Sequence, residues 1–372
     1  MTFDALNQAQ ADAQIYLRPI CFIESPQLHD GMTARLAGGM LWFSGIEVTA
    51  HQSSGVLRAL VAVSEWDAAV ALLSGSLAER AALLFARITA PRAQIVMGER
   101  IIRLDQPQVM GILNVTPDSF SDGGQHEADA ASAAVAMAAA GAAIIDIGGE
   151  STRPNAKLVW EGDEIKRVED PIRQIASSGT AISIDTRKAA VMEAALSAGA
   201  RMVNDISALL YDDRSLEIVK AADIPVVLMH APSQSSDPHK DGVYRDVVKE
   251  VYDWLEARVD AVEAAGISRD KIIIDPGLGF GKSLSDNLLL INNLAMFHAI
   301  GCPVLFGASR KRMIGALSNE AAASERLGGS VYLAMKAVEQ GAQIVRVHDV
   351  AETVQAIRVW RGLRDAALTV RI

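Results

Sequence analysis

The stretch VMGILNVTPDSFSDGGQHEADAASAAVAMAAAGAAIIDIGGEST, residues 109–152, decides the fold. A short β-branched run, VMGILNVT (109–116), ends in polar and Gly residues, passes into an alanine-rich helical stretch and returns as AIIDIGGEST (143–152). The unit recurs toward the C-terminus in AISIDT (181–186), RMVNDIS (201–207), VVLMH (226–230), IIIDPG (272–277), VLFGAS (304–309) and IVRVHD (344–349). These runs are almost continuously apolar, as parallel strands buried on both faces should be. Between two of them Val247, Val248, Val251, Leu255, Val259 and Val262 recur mainly at spacings of three and four, the stripe of a helix packed on a sheet. Eight such units in about 260 residues close most economically into a (β/α)8 TIM barrel of the α/β class, the alternative being an open doubly wound sheet.

Upstream of the first unit, QIVMGERIIRLD (94–105) reads as two short strands around a Gly-Glu turn, a hairpin expected to plug the N-terminal end of the barrel. Residues 1–92 read differently. LWFSGIEVTAH and LRALVAV suggest strands, and SEWDAAVALLSG and LAERAALLFARI suggest helices, so a small α+β domain is expected ahead of a barrel domain at 93–372. Half of the 372 residues are apolar and 22% are charged, a globular composition that excludes disorder. Thirty-five Lys and Arg against 45 Asp and Glu leave a net charge of −10, which argues against a protein that coats nucleic acid or an acidic membrane. Any anion site must be local. Cys21 and Cys302 lack CxxC or Cys/His spacing, so no disulfide framework or structural zinc is expected. The polar start MTFDALNQAQ and the halt of the longest apolar stretch at Asp146 predict a cytoplasmic protein without a signal peptide or a membrane span.

In a (β/α)8 barrel the chemistry stands at the C-terminal ends of the strands. Here those ends carry Asn114, Glu150 to Arg153, Asp185, Asn204 and Asp205, His230, Asp275, Ser309 to Lys311, and Arg346 with His348 and Asp349. One carboxylate or amide at such a place caps a helix or bonds its own turn. Polar groups on all eight strands point instead to a shared site. Asp185, Asn204 and Asp275 form a donor and acceptor set suited to the edge of a flat heterocycle bearing amino and lactam groups. Lys311, Arg346 and His348, with Asn114 across the barrel, can hold an anion such as phosphate. Arg346 and His348 alternate, so they share a face. GLGFGKS (277–283) is no Walker A loop, because only three residues separate Gly277 from Gly281. The lack of GxGxxG at the first helix, of GxSxG around Ser309 and of metal-ligand spacing disfavours a dinucleotide oxidoreductase, a serine hydrolase and a resident metal.

GILNVTPDSFSDGG (111–124) and DIGGESTRP (146–154), followed in order by ISIDTRK, VNDIS, VLMH, DPGLGFGK, ASRK and RVHDV, resemble the dihydropteroate synthase family over about residues 108–362. The resemblance implies a pterin-binding (β/α)8 barrel, generally a homodimer and the target of sulfonamides. Such an enzyme joins 6-hydroxymethyl-7,8-dihydropterin pyrophosphate to 4-aminobenzoate and releases pyrophosphate with Mg²⁺. Carried over motif by motif, it implies that Asp185, Asn204, Met229, Asp275, Phe280, Lys311 and Arg346 surround the pterin. It also implies that Asn114, Arg346 and His348 hold pyrophosphate, with Asn114 on the metal, and that Phe120, Thr152, Arg153, Pro154 and Ser309 serve the aminobenzoate. Asp185, Lys311, Arg346 and His348 are the implied catalytic groups. Departures from the family pattern fall at Asn155, at Ala308 and in the segment APSQSSDPHKDG that follows His230. Alternative functions are a pterin-dependent methyltransferase and an inactive barrel that binds another folate enzyme.

Overall fold

A computed structural model describes residues 3–115, 126–151, 158–233, 237–240 and 242–369. The chain opens with four antiparallel strands, β1 (Gln14–Ile23), β2 (Ala34–Arg35), β3 (Trp42–Gln52) and β4 (Gly55–Ala62), in which β3 pairs with the other three. Helices α1 (Trp66–Val70) and α2 (Gly75–Thr89) follow, and α2 buries Leu77, Ala81, Leu84 and Ile88 at spacings of three and four. Strand β1 is absent from the expectations above because Pro19 in its middle reads as a break. It pairs only with β3, and an edge strand tolerates proline.

A two-stranded hairpin of β5 (Ile95–Met97) and β6 (Arg100–Ile102) leads into the barrel. Its strands and helices alternate as β7 (Gln108–Asn114), α3 (His126–Ala140), β8 (Ile144–Gly148), α4 (Glu161–Ala176), β9 (Ile182–Asp185), α5 (Ala189–Ala198), β10 (Met202–Asp205) and α6 (Ser215–Ala222). They continue as β11 (Val226–Met229), α7 (Val247–Ala264), β12 (Ile272–Asp275), α8 (Leu284–Asn292), β13 (Leu305–Phe306), α9 (Arg312–Leu317), α10 (Leu327–Val338), β14 (Ile344–Val347) and α11 (Val350–Leu368). All eight barrel strands are parallel, in the order β12-β11-β10-β9-β8-β7-β14-β13, and a bridge from Ile274 to Val304 joins the two ends of that order. The helical stripe resolves as expected: Val247, Val251, Leu255, Val259 and Val262 of α7 are buried, and Asp246 caps the helix by accepting from the Lys249 N–H at 3.1 Å.

Two apolar clusters sit on either side of the barrel wall. Met110, Ile144, Ala181, Met202, Val227, Ile273, Leu305 and Ile344, near the strand starts, are buried with Ile95, Met97, Ile102 and Leu104 of the hairpin segment. The larger cluster fills the space between strands and helices and runs without interruption into the N-terminal sheet through Leu17, Phe43 and Leu84. Strand β1 and α2 pack on the 3₁₀ segment Leu294–Ile300, whose residues are all buried. Polar contacts fasten the same seam. Glu256 of α7 takes Arg80 at 2.5 Å and Arg87 at 2.9 Å, and the Tyr16 hydroxyl donates to Asp253 Oδ1 at 2.7 Å.

Because Glu256 is one mostly buried carboxylate shared by two guanidinium groups, its removal leaves both cations short of a partner. Glu256→Ala is expected to lower the unfolding free energy by about 1–3 kcal/mol in chemical denaturation, and an unchanged midpoint would contradict this anchoring role.

Candidate active site

The inner face of the barrel is arranged in layers two residues apart, the period with which successive strand side chains return to one face. Two residues beyond the apolar floor stand Ile112, Asp146, Ser183, Asn204, Met229, Asp275, Gly307 and Arg346. Two further on, at the mouth, stand Asn114, Gly148, Asp185, Ile206, Ala231, Gly277, Ser309 and His348. Polarity thus begins one pleat above a dry floor.

Arg346 spans the second layer. Its Nε donates to Asp146 Oδ2 and its Nη2 to Asp185 Oδ2, both at 2.5 Å, while Asn204 Nδ2 donates to the same Asp146 oxygen at 2.9 Å. Asp146 is fully buried. Its Oδ1, and the Ser183 hydroxyl beside it in the layer, have no hydrogen-bond partner among the described residues. Such groups are costly unless a ligand supplies what they lack. Two glycines leave room for one. A Cβ on Gly148 would lie 3.8 Å from both Asn114 Oδ1 and Asp185 Oδ2, and one on Gly307 would lie 3.8 Å from Asp275 Oδ2 and 3.9 Å from Arg346 Cβ. Functional side chains therefore flank open wall at both places.

Asp275 accepts from the Gly277 N–H at 2.7 Å, which turns the chain sharply into the loop after β12. There Gly277 has φ +69°, and a Cβ would fall 1.9 Å from the His230 carbonyl oxygen, so only glycine fits. The Lys311 ammonium donates to the Leu278 carbonyl and lies 4.8 Å from the centre of the Phe280 ring. Phe280 is buried with Met229, Ile206 and Ala231. At the mouth the Ser309 hydroxyl accepts from the His348 backbone N–H at 3.1 Å and lies 3.0 Å from His348 Nδ1.

Burial raises both Asp275 and Asp185 above the usual carboxylate range, although Lys311 pulls the first down and Arg346 the second. Burial alone would lower Arg346, but Asp146 and Asp185 more than offset it and hold the guanidinium firmly charged. Lys311 is lowered by burial to about 8, with Asp275 opposing the shift. Three acids thus share two cations, an acceptor-rich wall suited to a ligand edge that donates protons.

The structure brings Asn114, Asp185, Asn204, Met229, Asp275, Phe280, Ser309, Lys311, Arg346 and His348 to the inner layers, the mouth or the loop above them. Phe120, Thr152, Arg153 and Pro154 lie outside the described residues. Other polar strand ends serve local structure. Asp205 accepts from Ser207 and Leu209 within its own turn, Glu150 pairs with Lys188 at 3.1 Å, and His230 faces Lys282 at 3.0 Å. Asp146 was not expected as a site residue in its own right. Its signal was a carboxylate inside the apolar run IIDIG, two residues beyond the floor residue Ile144. Among the described residues, no group of three or more His, Cys, Asp or Glu is placed to hold a metal ion, and no helix is long and apolar enough to cross a membrane.

The electrostatics predict that the Lys311 amine, selectively methylated with ¹³C and followed by NMR against a Lys311→Arg control, titrates near 8 in the unliganded protein. Titration at the ordinary lysine value, about 10.4, would contradict its desolvation.

Comparison with known proteins gives the family of the chain. The pterin binding enzyme family matches residues 110–348. The dihydropteroate synthase of Escherichia coli K12 is 47% identical over 266 residues, covering 71% of this chain and 94% of that protein. The dihydropteroate synthase of Neisseria meningitidis serogroup B is 45% identical over 270 residues, covering 70% and 94%. Among solved structures, Xanthomonas albilineans dihydropteroate synthase with 4-aminobenzoic acid is 44% identical and superposes with a TM-score of 0.69 over 73% of this chain and 98% of that one. The same enzyme in complex with 7,8-dihydropteroate is 42% identical with a TM-score of 0.67, covering 73% and 99%. Likeness of this extent is membership: the chain belongs to the dihydropteroate synthase family of pterin binding enzymes.

Proposed function

We infer that this chain condenses 6-hydroxymethyl-7,8-dihydropterin pyrophosphate with 4-aminobenzoate, giving 7,8-dihydropteroate and pyrophosphate, the transferase step of its family in folate biosynthesis. The observation that carries the reading is the polar second layer, where Asp146, Asn204, Asp275 and Arg346 converge one pleat above an apolar floor, with Arg346 reaching up to Asp185 at the mouth. A pterin edge bears adjacent N–H and amino donors. Asp275 and Asn204 would take that edge, Met229 and Phe280 would line the ring, and Arg346 would stack on it with Lys311 nearby. Asn114, Arg346 and His348, at or just below the mouth, would hold the pyrophosphate. Ser309, with Phe120, Thr152, Arg153 and Pro154 from the segments after β7 and β8, would receive the aminobenzoate.

The chemistry asks little of a general base. Pyrophosphate departs from a CH₂ beside an electron-rich ring that stabilises the resulting cation, and the arylamine loses its proton readily once it has attacked. What the protein supplies is charge: Arg346 and Lys311 offset the leaving group, while Asp185 and Asp275 favour the cationic ring. An amide oxygen from Asn114 with substrate phosphate oxygens is a donor set that fits Mg²⁺, which typically arrives with phosphates and keeps most of its water. Bound there, the ion would neutralise part of the pyrophosphate charge.

Three features complete the reading. The hairpin β5-β6, buried with the first lumen residues, plugs the barrel floor. Residues 1–92 form an α+β domain added to the family barrel, since the family match begins at residue 110. A cytoplasmic homodimer pairs through α10 and α11, which expose Tyr332, Val359 and Leu363, and is blocked by sulfonamides, as bound by the Yersinia pestis relative.

The test is pyrophosphate release with both substrates present. Release should match dihydropteroate formed, and kcat/KM should fall as pH rises through about 8, where Lys311 loses its proton. Lys311→Ala and Arg346→Ala should each lower turnover by about 10²-fold or more. Wild-type rates in both variants, or no product from the native chain, would overturn the assignment.

A further inference from the structure

Pro232, His239 and Gly242, which lie between β11 and α7, stand against the loop after β12 with almost no space between them. A Cβ on Gly281 would lie 2.4 Å from Pro232 Cγ and 3.0 Å from the His239 carbonyl oxygen, and one on Gly242 would lie 1.6 Å from the Gly281 carbonyl oxygen. Two backbones that approach this closely require glycine at both positions, so each loop sets the height of the other. Within the segment Asp237 accepts from the His239 N–H at 2.9 Å, an Asx turn that fixes the backbone where the histidine side chain departs. The imidazole then lies nearly parallel to the Phe280 ring, with centroids 4.9 Å apart and planes 9° from coplanar. Phe280 is otherwise packed in the small cluster of Ile206, Met229 and Ala231, with the Lys311 ammonium 4.8 Å from its centre. His239 therefore belongs to a connected set that runs through Phe280 to the strand ends.

We propose that His239 is a positioning residue for the ring pocket: by stacking on Phe280 it holds that ring, and with it the loop from Gly277 to Gly281, in the orientation that receives the pterin. The proposal rests on the reading that Phe280 borders the pterin. The loop carries three glycines of positive φ, Gly277, Gly279 and Gly281; Asn287 and Lys282 hold its backbone through the Gly279 N–H and the Gly277 and Phe280 carbonyls, which leaves the orientation of the Phe280 ring to what packs on it. The flat surface of the imidazole does this, so another planar ring should serve as well.

Steady-state kinetics on four variants decide the matter. His239→Ala is expected to raise KM for the dihydropterin pyrophosphate by roughly 3–10-fold, the range of a lost aromatic pair, with kcat within about two-fold and the melting temperature unchanged. His239→Phe should restore KM. Phe280→Ala should raise KM by itself, and adding His239→Ala to it should bring no further rise, because the histidine acts through that ring. Wild-type KM in His239→Ala, a fall in kcat or melting temperature without a KM change, or an undiminished effect of His239→Ala in the Phe280→Ala background would each overturn the proposal. If Phe280→Ala alone leaves KM unchanged, the placement of Phe280 beside the pterin fails and the proposal fails with it. If only the His239 variants are silent, the pocket assignment stands and His239 is merely a surface residue.

Discussion

A guanidinium held between two carboxylates in the lumen of a barrel is the constraint on which the rest of this structure turns. Arg346 on β14 reaches past β7 to Asp146 on β8 and past β8 to Asp185 on β9, so a single side chain ties together strands that are distant in sequence. Burying three acids and two cations within one cavity is expensive, and the empty protein bears that expense in shifted ionisation and in the unpartnered Asp146 Oδ1 and Ser183 hydroxyl. A ligand with a donating edge and an anionic tail relieves both. In the proposed reading the same groups serve substrate binding and transition-state charge, and the candidate site is preorganised because strands, rather than loops, carry its deepest members.

Around that bridge the small residues matter as much as the charged ones. Gly148 and Gly307 leave wall open beside Asn114, Asp185, Asp275 and Arg346, and Gly277 lets Asp275 accept from the next turn without pushing His230 aside. Below them lies the apolar layer from Met110 to Ile344, buried together with the hairpin side chains, and burial of this kind strengthens the electrostatics of the polar layer above it. The N-terminal sheet and α2 are fastened to the outside of the barrel, on α7 and the 3₁₀ segment after α8.

Much of this was legible in the chain. Continuous apolar runs marked the eight strands, because strands buried on both faces have no polar side to show, and the polar residues at their ends pointed to the mouth where the candidate site lies. Three things were harder to read. Asp146 hides inside IIDIG, where a strand interior is expected to be apolar, and only counting in twos from Ile144 places it beside Arg346. Strand β1 was obscured by Pro19, whose missing donor matters less in an edge strand. Asp205, Glu150 and His230 stand at strand ends like the functional groups, yet their hydrogen bonds and ion pairs close locally, and sequence alone does not separate a carboxylate that caps its own turn from one that faces a ligand.

Held together by the Arg346 Nε–Asp146 Oδ2 bond, Asp146 and Arg346 are proposed to act as one unit in recognising the pterin. A double-mutant cycle of Asp146→Asn and Arg346→Lys, with dihydropterin affinity measured by calorimetry, tests it directly. Coupling of about 1 kcal/mol or more is predicted, the double variant binding better than the sum of the single losses would allow. Strictly additive losses, or unchanged affinity in Asp146→Asn, would show that Arg346 meets the ligand without the buried carboxylate and would contradict the account.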